Sequence, residues 1–147
     1  MIVKKLFLLV LLFDGLIWLR SSYGKFAAGN FVAGLPGTLG KFASNNPYPW
    51  FKNFLQNVAI PNVFIIGNIV LWGELFVALT VALGSGYLLL QKNNPLVKKL
   101  LMKGLLVGAF FNFLFWLAAG WTSPSTDGLN LLMVVLQVVG VIYVWKM

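Results

Sequence analysis

The chain has 147 residues, of which 60% are apolar and only 10% charged, against about 25% charged in an ordinary soluble domain. Eleven Lys and Arg against three Asp and Glu give a formal charge of +8. So few charges cannot coat a soluble globule or make a solvated basic surface for nucleic acid, which excludes both and leaves a small integral membrane protein partnered by the lipid bilayer.

Crossing the hydrocarbon core takes about 20 mostly apolar residues in a helix, and four segments qualify, at about 6–23, 63–83, 104–121 and 129–145. The expected fold is therefore all-α, a single four-span transmembrane domain built as a four-helix bundle. Lys4 and Lys5 ahead of Leu6 to Phe13 resemble the start of a signal peptide. Asp14 interrupts that run, however, and apolar sequence resumes through Leu16, Ile17, Trp18 and Leu19. The segment is read as a retained span.

The first connection, from about Gly24 to Asn62, is long. Gly29, Gly34, Gly37, Gly40 and Pro36 are expected to break any long helix there. After the turn Asn45-Asn46-Pro47-Tyr48, Pro49 opens a short helix. In it Trp50, Phe51, Phe54, Leu55 and Val58 recur at helical spacing opposite Lys52, Asn53, Gln56 and Asn57. This amphipathic stripe reads as an interfacial helix between spans one and two, or as a lid packed on the bundle. The second connection is expected from Gly84 to Lys103, with Lys98, Lys99 and Lys103 suited to anionic headgroups.

Lys4, Lys5, Lys92, Lys98, Lys99, Lys103 and Lys146 fall on one side of the spans. Arg20, Lys25, Lys41 and Lys52 fall on the other. The excess of Lys and Arg on the first side predicts two cytoplasmic termini, in the cell membrane of a prokaryote.

Chemistry is restricted by what is missing. The chain has neither cysteine nor histidine. This excludes disulfides, thiol relays, Cys- or His-built zinc and iron–sulfur sites and His-ligated haem. No metal site and no covalently bound cofactor are expected. Proton chemistry falls to Asp14, Glu74, Asp127, a tyrosine or a lysine.

An ionisable side chain deep in a span costs several kcal/mol unless paired, neutralised or hydrated. Asp14 and Glu74 sit near the middles of the first and second spans, Asn112 and Gln137 near the middles of the third and fourth. The four are expected to meet at one depth, with Asp14 and Glu74 as candidate proton-handling catalytic carboxylates. Asn112 and Gln137 also read as interhelical hydrogen-bond glue. Asp14, Trp18 and Lys25 share a helix face. Arg20 points elsewhere, about 9 Å from Asp14 along the axis at 1.5 Å rise per residue, so either cation is a candidate partner of either carboxylate. Gly104-x-x-x-Gly108 and Ala118-Ala119-Gly120 mark close helix packing.

Several ordered pieces then resemble the DoxX/DoxD family, four-helix membrane proteins that include the small subunit of thiosulfate:quinone oxidoreductase. They are Gly15-Leu16-Ile17-Trp18 with Tyr23-Gly24-Lys25-Phe26, then Asn45-Asn46-Pro47-Tyr48-Pro49-Trp50-Phe51, then Gly73-Glu74-Leu75 leading to Gly84. The last runs from Asn112 through Trp116 and Pro124 to Gly128-Leu129-Asn130-Leu131. The resemblance implies a non-autonomous oxidoreductase subunit, with thiosulfate or sulfur oxidation as its field, a quinone as ligand and a second protein subunit as partner. Glu74, Lys25 and Asn130 occupy motif positions without a catalytic role to transfer. Candidate quinone or polar-cluster contacts are Lys25, Arg20, Asn112, Asn130, Gln137 and Trp50. The alternatives are a small proton-coupled transporter, which would move substrate in proteoliposomes without a partner, and a membrane scaffold with no site of its own.

Overall fold

The computed structural model describes residues 2–90 and 93–147, and Lys92, counted above among the cytoplasmic lysines, lies outside them. The described residues are helical throughout apart from turns: α1 (Ile2–Ala28), α2 (Phe31–Ser44), α3 (Pro49–Phe54), α4 (Val63–Leu90), α5 (Pro95–Ala119) and α6 (Pro124–Lys146). A π-helical turn, Leu55–Ala59, continues α3, and a 3-10 turn, Gly120–Thr122, continues α5.

Three helices are long and apolar enough to cross a membrane: α4, α5 with its 3-10 extension, and α6. Their outward side chains, such as Phe64, Ile69, Leu83, Leu106 and Leu132, are exposed. That surface suits lipid, because apolar side chains facing hydrocarbon need no polar screen, and it marks the chain as a membrane protein. The 27 residues of α1 include Lys4, Lys5, Asp14, Arg20 and Lys25, and α1 is not one of the three.

The long helices run antiparallel to their neighbours around one core in which Leu8, Leu11, Val77, Val81, Leu101, Leu105 and Val144 are fully buried. Small residues set the spacings. A Cβ on Gly15 would lie 2.4 Å from the backbone nitrogen of Ala82, so α1 and α4 touch main chain to main chain there. Gly104 and Gly108 bring α5 against Thr80 and Val77 of α4, the close packing expected of that pair.

Two connections differ from expectation. Gly84-Ser85-Gly86 lies inside α4, which continues to Leu90. Gly84 sits against Leu101, and buried Ser85 donates to the Val81 carbonyl, so packing overrides the turn signal. Lys98, Lys99 and Lys103 consequently lie on α5, which begins at Pro95. Its first turn is capped by Asn94 Oδ1, which accepts from the backbone amides of Leu96 and Val97 at 3.0 and 3.3 Å.

The first connection holds two helices instead of one. Pro36 lies within α2, whose buried Leu35, Leu39 and Ala43 dock with Phe51, Leu55 and Ala59 onto Leu117 and Ala118 of α5. Burial of that face outweighs the lost backbone donor of proline and the weak helix propensity of glycine. Gly34, Gly37 and Gly40 contribute nothing to contacts, because a Cβ on any of them would meet open space. Gly37→Ala is therefore expected to stabilise the protein by about 0.5–1 kcal/mol, read as a rise in the unfolding midpoint in detergent. The stripe on α3 is divided: Phe51 and Leu55 are buried under α2, while Trp50, Phe54 and Val58 are exposed. The Asn-Asn-Pro turn pins this cover in place. Asn46 Nδ2 donates to the Leu117 and Ala118 carbonyls at the end of α5, and its Oδ1 accepts from the Tyr48 amide.

Candidate functional site

The antiparallel contact of Gly15 with Ala82 fixes which parts of α1 and α4 share a level. Glu74 lies eight residues from Ala82, about 12 Å along the helix, and so faces the C-terminal part of α1, well away from Asp14. The four midplane polar residues fall into two separate sets of contacts, and the expected meeting of Asp14 with Glu74 does not occur.

At the level nearer α2, Lys25 Nζ sits 2.7 Å from Glu74 Oε2. Ser21, one helical turn before Lys25, donates to the same oxygen at 3.0 Å and accepts from Lys25 Nζ at 2.8 Å. Glu74 is 2% exposed and Lys25 22%. Glu74 Oε1 takes no hydrogen bond from the described residues. The ammonium also stands 5.4 Å from the ring centroid of Phe31, at the start of α2, within cation–π range.

These three residues form one wall of a cavity of about 350 Å³, lined by side chains of α1, α2, α4, α5 and α6. Leu35, Leu39, Phe42, Ile66 and Phe115 supply an apolar lining, and Thr38, Thr126 and Asn130 add hydrogen-bonding groups. Asn130 Nδ2 is itself held by the Thr126 carbonyl at 2.8 Å. An apolar chamber with a few convergent polar groups is the general form of a small-ligand site.

At the other level the polar chain is closed. Asn112 Nδ2 donates to Gln137 Oε1 at 3.0 Å, and Gln137 Nε2 donates to both carboxylate oxygens of Asp14 at 3.1 Å. All three residues are buried. The arrangement ties α1, α5 and α6 together and matches the hydrogen-bond glue expected of Asn112 and Gln137. Gln137→Leu strips partners from both neighbours at once. It is expected to cost about 1–2 kcal/mol, against about 0.6 kcal/mol for Asn112→Leu, the average interhelical bond in a membrane. Reversible unfolding in mixed micelles ranks the two.

The other candidates lie elsewhere. Arg20 is exposed on α1 and makes no ion pair among the described residues. Trp50 is 63% exposed on α3 and packs on Phe51, outside the cavity. Asp127 accepts from Trp116 Nε1 at 2.6 Å and so serves the α5–α6 corner. Ser21 was not foreseen. Its signal was present as a hydroxyl four residues before Lys25 on the same helix face.

A search of family models, curated proteins and solved structures gives no match. The resemblance to the DoxX/DoxD family rests on the sequence pieces quoted above.

Proposed function

We propose that this chain is a DoxX/DoxD-like membrane subunit of a quinone-linked oxidoreductase, with thiosulfate or another reduced sulfur compound as the donor handled by its complex. One observation carries the reading: a buried carboxylate, ion-paired and hydrogen-bonded through a single oxygen, faces a largely apolar cavity of about 350 Å³. A buried ion pair is costly to desolvate and weak evidence for stability alone. Set in the wall of a chamber among hydrogen-bonding Thr38, Thr126 and Asn130, it is better explained by binding.

In this reading α1, α4, α5 and α6 are the four spans, with both termini cytoplasmic. The 27 residues of α1 reach about 40 Å, more than the hydrocarbon core requires. Its inward charges are covered, Asp14 by Gln137 and Lys25 by Glu74. Arg20 lies far enough towards one end to extend its head to the interface. Lys4, Lys5, Lys98, Lys99, Lys103 and Lys146 gather at the opposite end.

A quinone headgroup fits the chamber by its chemistry, being flat, largely apolar and edged by hydrogen-bond acceptors. When bound, it would supply the two-electron chemistry that the protein's own side chains lack. Lys25 and Asn130 would donate to its oxygens, Ser21 would hold Lys25 and Glu74 in place, and Glu74 Oε1 would accept from or hand over a proton. The apolar wall of Leu35, Phe42, Ile66 and Phe115 would exclude water. Electrons would arrive from a second subunit.

Binding of a short-chain ubiquinone analogue to purified protein, followed by tryptophan quenching, tests the reading. Glu74→Gln keeps the volume and removes the charge. It is expected to weaken binding at least tenfold, since a hydrogen bond to a charged group contributes about 1.5–3 kcal/mol. Equal affinity in the two proteins rules Glu74 out of the site. Purification from the native membrane in mild detergent identifies the partner.

A further inference from the structure

Lys25 and Phe31 line two cavities at once. One is the inner chamber that holds Glu74. The other is a cleft of about 560 Å³ between the end of α1, the start of α2 and the first half of α4. Apart from Lys25, the side chains of the cleft are apolar, including Phe26, Val32, Pro36, Phe64 and Leu71. Phe64 is 75% exposed, so the cleft is open on the outer surface of α4, the surface suited to lipid. Its roof is set by Gly29, whose φ of +67° turns the chain from α1 into α2, a conformation glycine adopts without strain.

We infer that chamber and cleft form one site for an amphipathic ligand, with a hydrogen-bonding head beside Glu74 and a single apolar chain leaving past Lys25 and Phe31 through the cleft. The inference rests on the quinone reading and adds the route of the chain. Its ground is the division of chemistry across a shared wall. Thr38, Thr126 and Asn130 join Glu74 on the inner chamber and can hold a head, and the outer cleft offers a chain nothing polar except the lysine already committed to Glu74.

A chain coming from lipid gains little from apolar walls as such, because it is equally at home among lipid tails. What the cleft provides is passage without the cost of placing hydrocarbon against unpaired polar groups. A neighbouring cavity does not provide this. The cavity of about 150 Å³ at the seam of α1, α5 and α6 shares Ser21, Phe115 and Asn130 with the chamber and adds Trp18 and Asn112 to its lining. A chain there would press on four hydrogen-bonding side chains, including the Trp18 indole, which is unpartnered among the described residues.

The test uses the full chain in nanodiscs with two probes, a chain-free dimethoxy-methyl-benzoquinone and the same head with a ten-carbon chain bearing a diazirine near the ring. Photolabel is expected on Val32, Ala33, Phe64 or Leu71. Ala33→Trp fills the cleft from the exposed face of α2, where folding is not at stake. It should weaken the chain-bearing probe at least tenfold and the chain-free probe less than twofold. Leu71→Trp narrows the cleft from α4 and should do the same. Label on Ile17 or Met133, or chain-bearing affinity unchanged in both variants, overturns the two-chamber site while leaving the head site standing. Failure of the chain-bearing probe alone to bind the wild-type protein overturns the two-chamber site, and failure of both probes overturns the quinone reading and this inference with it.

Discussion

Lys25→Met is expected to destabilise the protein by about 3–5 kcal/mol, the cost of leaving a buried charge without its partner. The two halves of the pair are unequal. Glu74 is 2% exposed and Lys25 22%, so a stranded carboxylate has nowhere to go, whereas a stranded ammonium can swing on its methylene stem towards water. Glu74→Gln also keeps an oxygen for Ser21 and Lys25 and should cost only about 1–2 kcal/mol. The double variant Lys25→Met with Glu74→Leu replaces the pair by apolar groups of similar length and should recover most of the loss. Unfolding of wild type, Lys25→Met, Glu74→Leu and the double variant by SDS in mixed micelles supplies the four free energies of the cycle. Additive losses would show that the two side chains act separately and that the 2.7 Å contact contributes nothing.

Gly15→Val is expected to cost at least about 3 kcal/mol, the upper range for overpacking. The added atoms meet main chain: a Cβ on Gly15 lies 2.4 Å from the Ala82 nitrogen and 2.7 Å from its Cα. No rotamer change relieves that, so α1 must move away from α4. Gly73→Ala is the comparison. Its Cβ would meet the edge of the Phe111 ring at 2.4 Å, and a ring edge can tilt aside, so the loss should be smaller. The two variants also separate in function. Displacing α1 shifts Lys25 and Ser21 relative to Glu74, so Gly15→Val should lose quinone affinity in the fraction that still folds. Gly73→Ala, adjacent to Glu74 on a helix that stays put, should retain most of it. Near-wild-type stability of Gly15→Val would mean that α1 and α4 are not in main-chain contact.

Both results bear on how the site is built. Its ion pair joins residues 49 apart in sequence, and nothing local forces them together. The constraint is the close approach at Gly15, which fixes the level of α1 on α4. A helix packed through a glycine has little freedom to slide, because the side chains on either side of the contact interlock.

From its sequence alone, the protein was determined as an apolar, all-helical chain with deep polar residues at Asp14, Glu74, Asn112 and Gln137. Composition and the length of each apolar run suffice for that, since they reflect the local cost of placing side chains in lipid. The start of α3 at Pro49 and the close packing of Gly104 and Gly108 were equally legible, whereas the start of α5 at Pro95 was not, the expected connection running on to Lys103. Only the tertiary structure decided the rest. Sequence counting placed Asp14 and Glu74 at one depth because it assumed that spans start level with one another. The Gly15–Ala82 contact offsets them, sending Glu74 to Lys25 and Ser21 and leaving Asp14 to Gln137. Likewise α2 forms through Pro36 and its glycines because Leu35, Leu39 and Ala43 find a surface on α5. Axial offset between helices and burial of a weak helix depend on the partner surface, and a partner surface exists only once the chain has folded.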